Sequence, residues 1–262
     1  MKTATLIIFT LIFLTCCGQT NEKRAIRQTQ DVTAPPDISK LWNEQLHKLS
    51  FLRQVNLDEA KKMTIDLSSI LAYDKNENEY LSRFIGAFGQ NYQRIDLLVV
   101  SAKHIGQQTY SLELLCKFGE TIDTLAGEIL LKKAFEITDN IHTTFVFSYD
   151  YKFCSEDNNV CLKGTNSTSF YIEDNIPNNY WYEDGSFNDL VRTFVGTLTK
   201  KAIDNPVNCV FAVSPAGLYN YLPFCEGLYT VDDNENPEYY YISDKYKQFG
   251  WQDYDYRNPK KE

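Results

Sequence analysis

The stretch Phe145-Val146-Phe147-Ser148-Tyr149-Asp150-Tyr151-Lys152-Phe153 carries an aromatic ring at every second position. Successive side chains of a strand point to opposite faces, so all five rings share one face of a strand here. Such alternation marks a strand with one buried side. The same period of two recurs in Ile95-Asp96-Leu97-Leu98-Val99, apolar at the odd positions, and in Tyr110 to Phe118, apolar at the even ones. The supply of large flat side chains is ample, with 18 Tyr and 16 Phe, both of which favour pleated surfaces.

Turn signals divide these runs at His104-Ile105-Gly106-Gln107, Gly119-Glu120, Asp139-Asn140 and Gly164-Thr165-Asn166. Their spacing leaves no room for crossover helices and predicts successive antiparallel strands joined by hairpins. Further strands are expected near 168–172, 191–199, 207–213 and 227–231. Eight or so meandering strands bury one face and hide their edges by closing on themselves. The fold expected for residues 82–262 is therefore mainly β, an antiparallel meander closing into a single lipocalin-like β-barrel with a tyrosine-rich C-terminal tail. A β-sandwich is the alternative.

Upstream, the period changes. Ile38, Leu41, Trp42, Leu46, Leu49 and Leu52 fall at helical spacing, with Asp37 or Ser39 placed as an N-cap. A second short helix is expected after Asn56 or Asp58, so 37–81 reads as a helical N-terminal region. Residues 18–36 are polar and end in Pro35-Pro36, a composition suited to a tether.

The chain opens with Lys2 and an uncharged, mostly apolar run from Ala4 to Thr15. A membrane-crossing helix needs about 20 apolar residues, so this run has the length of a signal-peptide core instead. The following Leu14-Thr15-Cys16-Cys17-Gly18 resembles the lipobox of bacterial lipoproteins. In that family a diacylglyceryl group is attached to the cysteine, and the signal peptide is cleaved just before it. Cys17 fits with Leu14 three places upstream and the small Cys16 before it, whereas Cys16 would have Phe13 and Thr15 there. The resemblance implies residues 1–16 as signal peptide, Cys17 as the lipidated residue, and membrane attachment through two or three acyl chains, each buried methylene worth ~0.8 kcal/mol. Gly18 after the cysteine implies the outer membrane, with the face left open.

Without residues 1–16 the chain keeps 25 cationic against 35 acidic side chains, a net charge of −10. No basic cluster interrupts that acidity, which argues against nucleic acid as a partner. Five cysteines remain after Cys17. In an oxidising compartment pairing is expected. Cys154 and Cys161 bracket a polar loop of six residues, and Cys209 and Cys225 form the next pair. Cys116 lies on the apolar side of its strand and is read as a small buried hydrophobe.

Arg83-Phe84-Ile85-Gly86, Asn91-Tyr92-Gln93-Arg94-Ile95 and Thr193-Phe194-Val195-Gly196-Thr197 resemble segments of uncharacterised Gram-negative envelope lipoproteins. These share a strand-rich domain whose late Phe-Val-Gly-Thr strand is followed by a cysteine, here Cys209. The resemblance spans 82 to about 251 and implies the β domain but no activity. The Phe-x-Gly-Thr element is also similar to one in lipocalin-like barrels, where a Trp follows the Gly. Here Thr197 and Leu198 follow it.

Signatures of chemistry fail on inspection. Asp74 to Glu79 and Asp232 to Pro237 start like calcium loops, but each lacks the Gly at position six and the Glu at twelve. No Cys-x-x-Cys occurs, and His47, His104 and His142 are scattered, so no metal or other cofactor is expected. Ser214 lacks a nucleophile elbow, and there is no Gly-rich phosphate loop. Paired carboxylates for glycan hydrolysis need about 5–9.5 Å of separation, which sequence cannot reveal. The face formed by Phe145, Phe147, Tyr149, Tyr151 and Phe153 serves either as core or as the lining of a ligand cavity. Tyr239, Tyr240, Tyr241, Tyr246, Trp251, Tyr254 and Tyr256 either clamp the tail down or present a recognition surface for sugars or proteins. The expected function is that of a non-enzymatic envelope lipoprotein that binds a small apolar ligand or an envelope protein, or supports the envelope. An envelope hydrolase using carboxylates is the alternative.

Overall fold

A computed structural model describes residues 37–72, 83–137, 143–180, 191–203, 205–213, 228–231 and 240–252. The expected signal peptide, Cys17, the expected tether and both calcium-like loops lie outside the described residues.

Ten strands form one antiparallel sheet: β1 (Leu52–Val55), β2 (Arg83–Phe88), β3 (Gln93–Gly106), β4 (Thr109–Phe118), β5 (Thr121–Ile137), β6 (Thr144–Cys154), β7 (Val160–Glu173), β8 (Ile176–Asn179), β9 (Thr193–Lys200) and β10 (Val207–Ala212). From β2 to β7 each strand pairs with the next in sequence, β7 pairs with β9, β9 with β10, and β10 returns to β2. Eight strands thus ring an interior, and no edge among them is left open along the chain of pairings. β1 and β8 sit outside the ring. β5 outruns β4 beyond Leu130, and β1 takes up its free side at Ala134 to Ile137. β7 outruns β9 in the same way, and β8 pairs with Phe170 to Glu173.

The hairpin between β3 and β4 turns on Gln107 and Gln108, both at positive φ (51° and 53°), the two-residue geometry that matches strand twist. The expected turn at Gly164-Thr165-Asn166 is corrected: these residues lie in the middle of β7. Gly164 faces Gly196 of β9, and a Cβ on Gly164 would come within 2.6 Å of the Gly196 Cα. Glycine is needed there for close approach of two strands. The room left over the pair is on the interior side, where Tyr151 stacks on Phe153 at 5.2 Å and meets Phe194 edge-on at 5.4 Å.

Two apolar cores share the sheet. The inner one gathers Phe145, Phe147, Tyr149, Tyr151 and Phe153 with Phe84, Phe88, Leu114, Phe170, Phe194 and Phe211. The outer one lies between the far side of the sheet and α1 (Ile38–Lys48). α1 starts at Asp37, whose side chain accepts the Lys40 N–H, and its Ile38, Trp42 and Leu46 recur every fourth residue to make one buried stripe. Ser39 Oγ donates to Val195 O at 3.1 Å and fixes the helix on β9. Under this layer Val195, Val210 and Ala212 are buried although they point away from the ring's interior. The expectation of strands with a single buried face is therefore corrected for β9 and β10.

Two further helices close one end of the ring. Asn56 Oδ1 accepts the N–H groups of Asp58 and Glu59 and starts α2 (Leu57–Lys62). α3 (Ser68–Leu71) follows, and Leu67, Ile70 and Leu71 insert into the inner core.

The C-terminal segment joins the outer core. β11 (Tyr229–Val231) pairs with β12 (Tyr240–Ile242), and α4 (Asp244–Tyr246) leads into a wide turn over Lys247–Trp251. Trp251 is fully buried, and its Nε1 donates to Tyr92 O at 2.6 Å. Tyr246 meets Tyr92 edge-on at 4.9 Å. These two rings clamp the segment to the β2–β3 turn. Tyr239, Tyr254 and Tyr256 lie outside the described residues, as do the side chains of Tyr240 and Tyr241.

Candidate functional site

The polar features at the end closed by α2 and α3 are set by register. On β7 the even-numbered side chains face inward, from Val160 through Asn166 to Phe170. Asn166 stands opposite Tyr149 of β6 on one side and Phe194 of β9 on the other. One interior row thus runs Leu131, Tyr149, Asn166, Phe194, Phe211 across five strands. Four of its members are apolar or aromatic, and the amide is the exception. Asn166 is 2% exposed, and its Oδ1 has no hydrogen-bond partner. The Tyr149 hydroxyl is fully buried and also lacks one. Burial drives the Tyr149 and Tyr151 hydroxyls well above their usual range, because an apolar surround disfavours the phenolate.

Tyr110 is handled differently. Its hydroxyl accepts the Leu67 N–H at 3.1 Å and donates to Gln108 Oε1 at 2.7 Å. Gln108 Nε2 in turn donates to Met63 O and Ile65 O, each at 2.8 Å. His104 adds a bond from its backbone N–H to Ser68 Oγ at 3.1 Å, and its ring lies over Tyr110 at 5.0 Å. The β3–β4 hairpin therefore holds residues 63–68 through the backbone of Met63, Ile65 and Leu67 and the hydroxyl of Ser68, and seats α3 in the opening. His104, which opens a turn signal in the sequence, is half-buried near the end of β3, with Nε2 enclosed.

Between α3 and the sheet lies a small cleft of about 20 Å³, room for about one water-sized group. Its polar wall is Asn166, Ser167, Thr168 and Arg192. Ser167 Oγ donates to Val191 O at 2.7 Å. Arg192 precedes β9 and is buried, and its Nη2 donates to Asn179 Oδ1 and to Tyr180 O, each at 3.3 Å. Burial lowers its pKa to about 10, which still leaves a cation at neutral pH. The opposite wall is apolar, made by Phe84, Val99, Leu112 and Phe194, with Ile70 and Leu71 of α3 as its cover. The arrangement offers a buried cation and a buried amide beside an apolar surface.

The residues singled out from the sequence divide as follows. Phe145, Phe147, Tyr149, Tyr151 and Phe153 share one face and are all buried in the inner core. Cys154 and Cys161 form a disulfide across the β6–β7 hairpin, where they are register partners. Asp157 at its tip has its pKa lowered by the Ser155 hydroxyl and the Asn159 N–H. Cys116 and Cys209 are free, buried thiols of the inner core. Cys209, expected to pair with Cys225, points inward between Val207 and Phe211. Cys225 lies outside the described residues with Ser214 and His142. His47 shares a hydrogen bond with Lys133 Nζ at 2.8 Å on the outside, and burial together with that cation lowers its pKa. Among the described residues no three His, Cys, Asp or Glu side chains gather as metal ligands. Asn166 and Arg192 are not among the residues the sequence singles out. The available signal is an amide in the inward register of an otherwise apolar strand, and it is hidden when Gly164 to Asn166 is read as a turn.

Compared with family models, curated proteins and solved structures, the chain finds no match. Among the described residues no helix is long and apolar enough to cross a membrane.

Proposed function

We propose that this chain is a non-enzymatic lipoprotein of a bacterial cell envelope, tethered to the outer membrane by acyl chains on Cys17, whose strand-rich domain is a single lipocalin-like barrel that binds a small ligand. The observation that carries the reading is the closed ring with its aromatic stripe turned inward, capped by α3 over a cleft with one polar and one apolar wall. Ring closure pairs both sides of its eight strands and leaves the short β1 and β8 as the sheet's edges among the described residues, so the capped end is the place where a ligand meets buried polar groups. The mostly polar stretch from Gly18 to Pro36 acts as the tether that frees this domain from the bilayer surface.

The test is native mass spectrometry of the full chain, purified in non-ionic detergent after incubation with cell-envelope extract. A retained small-molecule adduct, together with the mass of a diacylglyceryl group on the peptide that begins at Cys17, is the expected result. A bare protein mass with an unmodified Cys17 overturns both halves of the reading.

A further inference from the structure

We infer that residues 63–71 are a displaceable plug latched by Gln108 and Tyr110, and that the ring takes up its ligand only when Leu67, Ile70 and Leu71 leave the opening. The inference rests on the ligand-binding reading above and supplies the regulation of that site.

The size of the cleft sets the problem. Beneath α3 there are about 20 Å³, enough for about one water-sized group, so nothing larger enters while α3 is seated. Leu67, fully buried, fills the opening instead, together with Ile70 and Leu71. Ile70 and Leu71 cover the wall made by Phe84, Val99, Leu112 and Phe194, so they hold the place that an apolar ligand would take.

The segment is held differently from the strands around it. Among the described residues no strand pairs with 63–71. α3 has four residues, too few to keep a helical conformation by itself. The anchors are side chains of the β3–β4 hairpin: Gln108 Nε2 donates to Met63 O and Ile65 O, and the Tyr110 hydroxyl accepts the Leu67 N–H. These bonds are given up together without breaking any ladder of the ring. Segments outside the ladders open locally at lower cost than the whole fold does.

Asn166 biases the same equilibrium. It is buried in the wall that α3 covers, and its Oδ1 has no hydrogen-bond partner. The apolar side chains of Ile70 and Leu71 offer it no donor. With the plug lifted, water or a ligand hydroxyl donates to that oxygen, so the open state gains a bond that the closed one lacks. The ligand admitted is therefore an apolar molecule carrying a hydrogen-bond donor, with a bulk near that of the side chains it displaces.

The experiment is amide hydrogen exchange of the full chain in non-ionic detergent, read by mass spectrometry, beside calorimetric titration with 1-hexanol as the probe. The variant is Gln108→Asn, because asparagine accepts the positive φ of 53° found there and its shorter side chain does not reach Met63 O and Ile65 O together. In the wild type, amides of 63–71 are expected to exchange about a hundredfold faster than those of β6. In Gln108→Asn they are expected to exchange about tenfold faster again. Apparent affinity scales with the fraction of open chains, so the variant is expected to bind 1-hexanol tighter by the same factor. Tyr110→Phe, which loses the Leu67 contact, is held to the same equality should the first variant not fold. Exchange of 63–71 as slow as that of β6 makes the segment a fixed part of the core; it overturns the plug and leaves the ligand-binding reading to its own mass measurement. Faster exchange in a variant whose 1-hexanol binding is unchanged breaks the link between opening and uptake, and overturns the inference as well.

Discussion

Tyr149 and Asn166 are register partners on β6 and β7, both pointing into the ring, and neither the tyrosine hydroxyl nor the amide oxygen has a hydrogen-bond partner. Two unsatisfied polar atoms side by side in an aromatic core are a local cost carried by the rest of the fold. Tyr149→Phe removes one of them and keeps the ring, so the variant is expected to be more stable by about 1 kcal/mol. Tyr110→Phe changes the same atom in a group that holds Leu67 and Gln108, so it is expected to lose about 1–2 kcal/mol. Urea denaturation of the two variants reads the difference in midpoint at equal slope, and equal shifts in the same direction would sink the argument.

Gly164 and Gly196 make a second test, because their need for glycine is steric. Adding a Cβ at Gly196 brings it to 2.7 Å from the Gly164 Cα, and the three nearest atoms are all backbone of β7. Gly164→Ala and Gly196→Ala are each expected to cost about 3 kcal/mol, as overpacking of rigid backbone does. Gly119 has open space around its Cβ direction and a φ of +58°, so Gly119→Ala carries strain alone and is expected to cost about 1 kcal/mol. Thermal melts that rank the three substitutions otherwise would show that the β7–β9 contact is not tight.

How much of this is legible in the sequence depends on the range of the interaction. The Phe145–Phe153 stripe is readable because alternation is local, and Asp37 and Asn56 are readable as helix starts for the same reason. The closure of β10 on β2 joins residues more than a hundred positions apart, and no local pattern specifies it. Val195 and Val210 read as ordinary outward positions, and only the covering α1 and C-terminal rings bury them. Gly164 is misleading because glycine serves both turns and close approaches, and only the facing Gly196 distinguishes the two. The turn reading hides Asn166. Arg192 gives no sequence signal, since Asn179 and Tyr180, which accept from its Nη2, lie 13 and 12 positions upstream.

The hairpin disulfide provides a third prediction. Cys154–Cys161 closes a loop of about eight residues, for which the chain-entropy relation gives about 2.5 kcal/mol. Cys154→Ser with Cys161→Ser is expected to lower stability by about that amount without unfolding the ring. Cys116 and Cys209 are both buried, and burial raises both thiol pKa values, so neither offers a thiolate at neutral pH. Peptide mapping after alkylation is expected to find both unmodified in the folded chain and both modified in urea. Labelling of either one in the native state would contradict their placement.

Alkaline pH tests the interior from a different direction. Tyr110, Tyr149 and Tyr151 all have pKa values raised above 10.0, and Cys116 and Cys209 above 9.0, with burial as the first cause in each case. Each group keeps its proton in the folded protein and loses it in the unfolded chain once pH passes the ordinary value. The unfolded state then binds fewer protons, so stability falls with rising pH, by about 1.4 kcal/mol per pH unit for each proton released. The contribution is complete below pH 9 and is lost first through the thiols and then, above pH 10, through the phenols. Arg192 opposes this weakly, because its depressed pKa of about 10 makes the folded chain shed that proton more readily than the unfolded one. Three phenols and two thiols outweigh one guanidinium, and the urea midpoint is expected to decline steadily from about pH 9 to 11. Cys116→Ala with Cys209→Ala should move the onset from about 9 toward 10 while leaving the steeper phenol phase in place. A midpoint that holds level across that range would mean the five groups are solvated rather than enclosed by the ring.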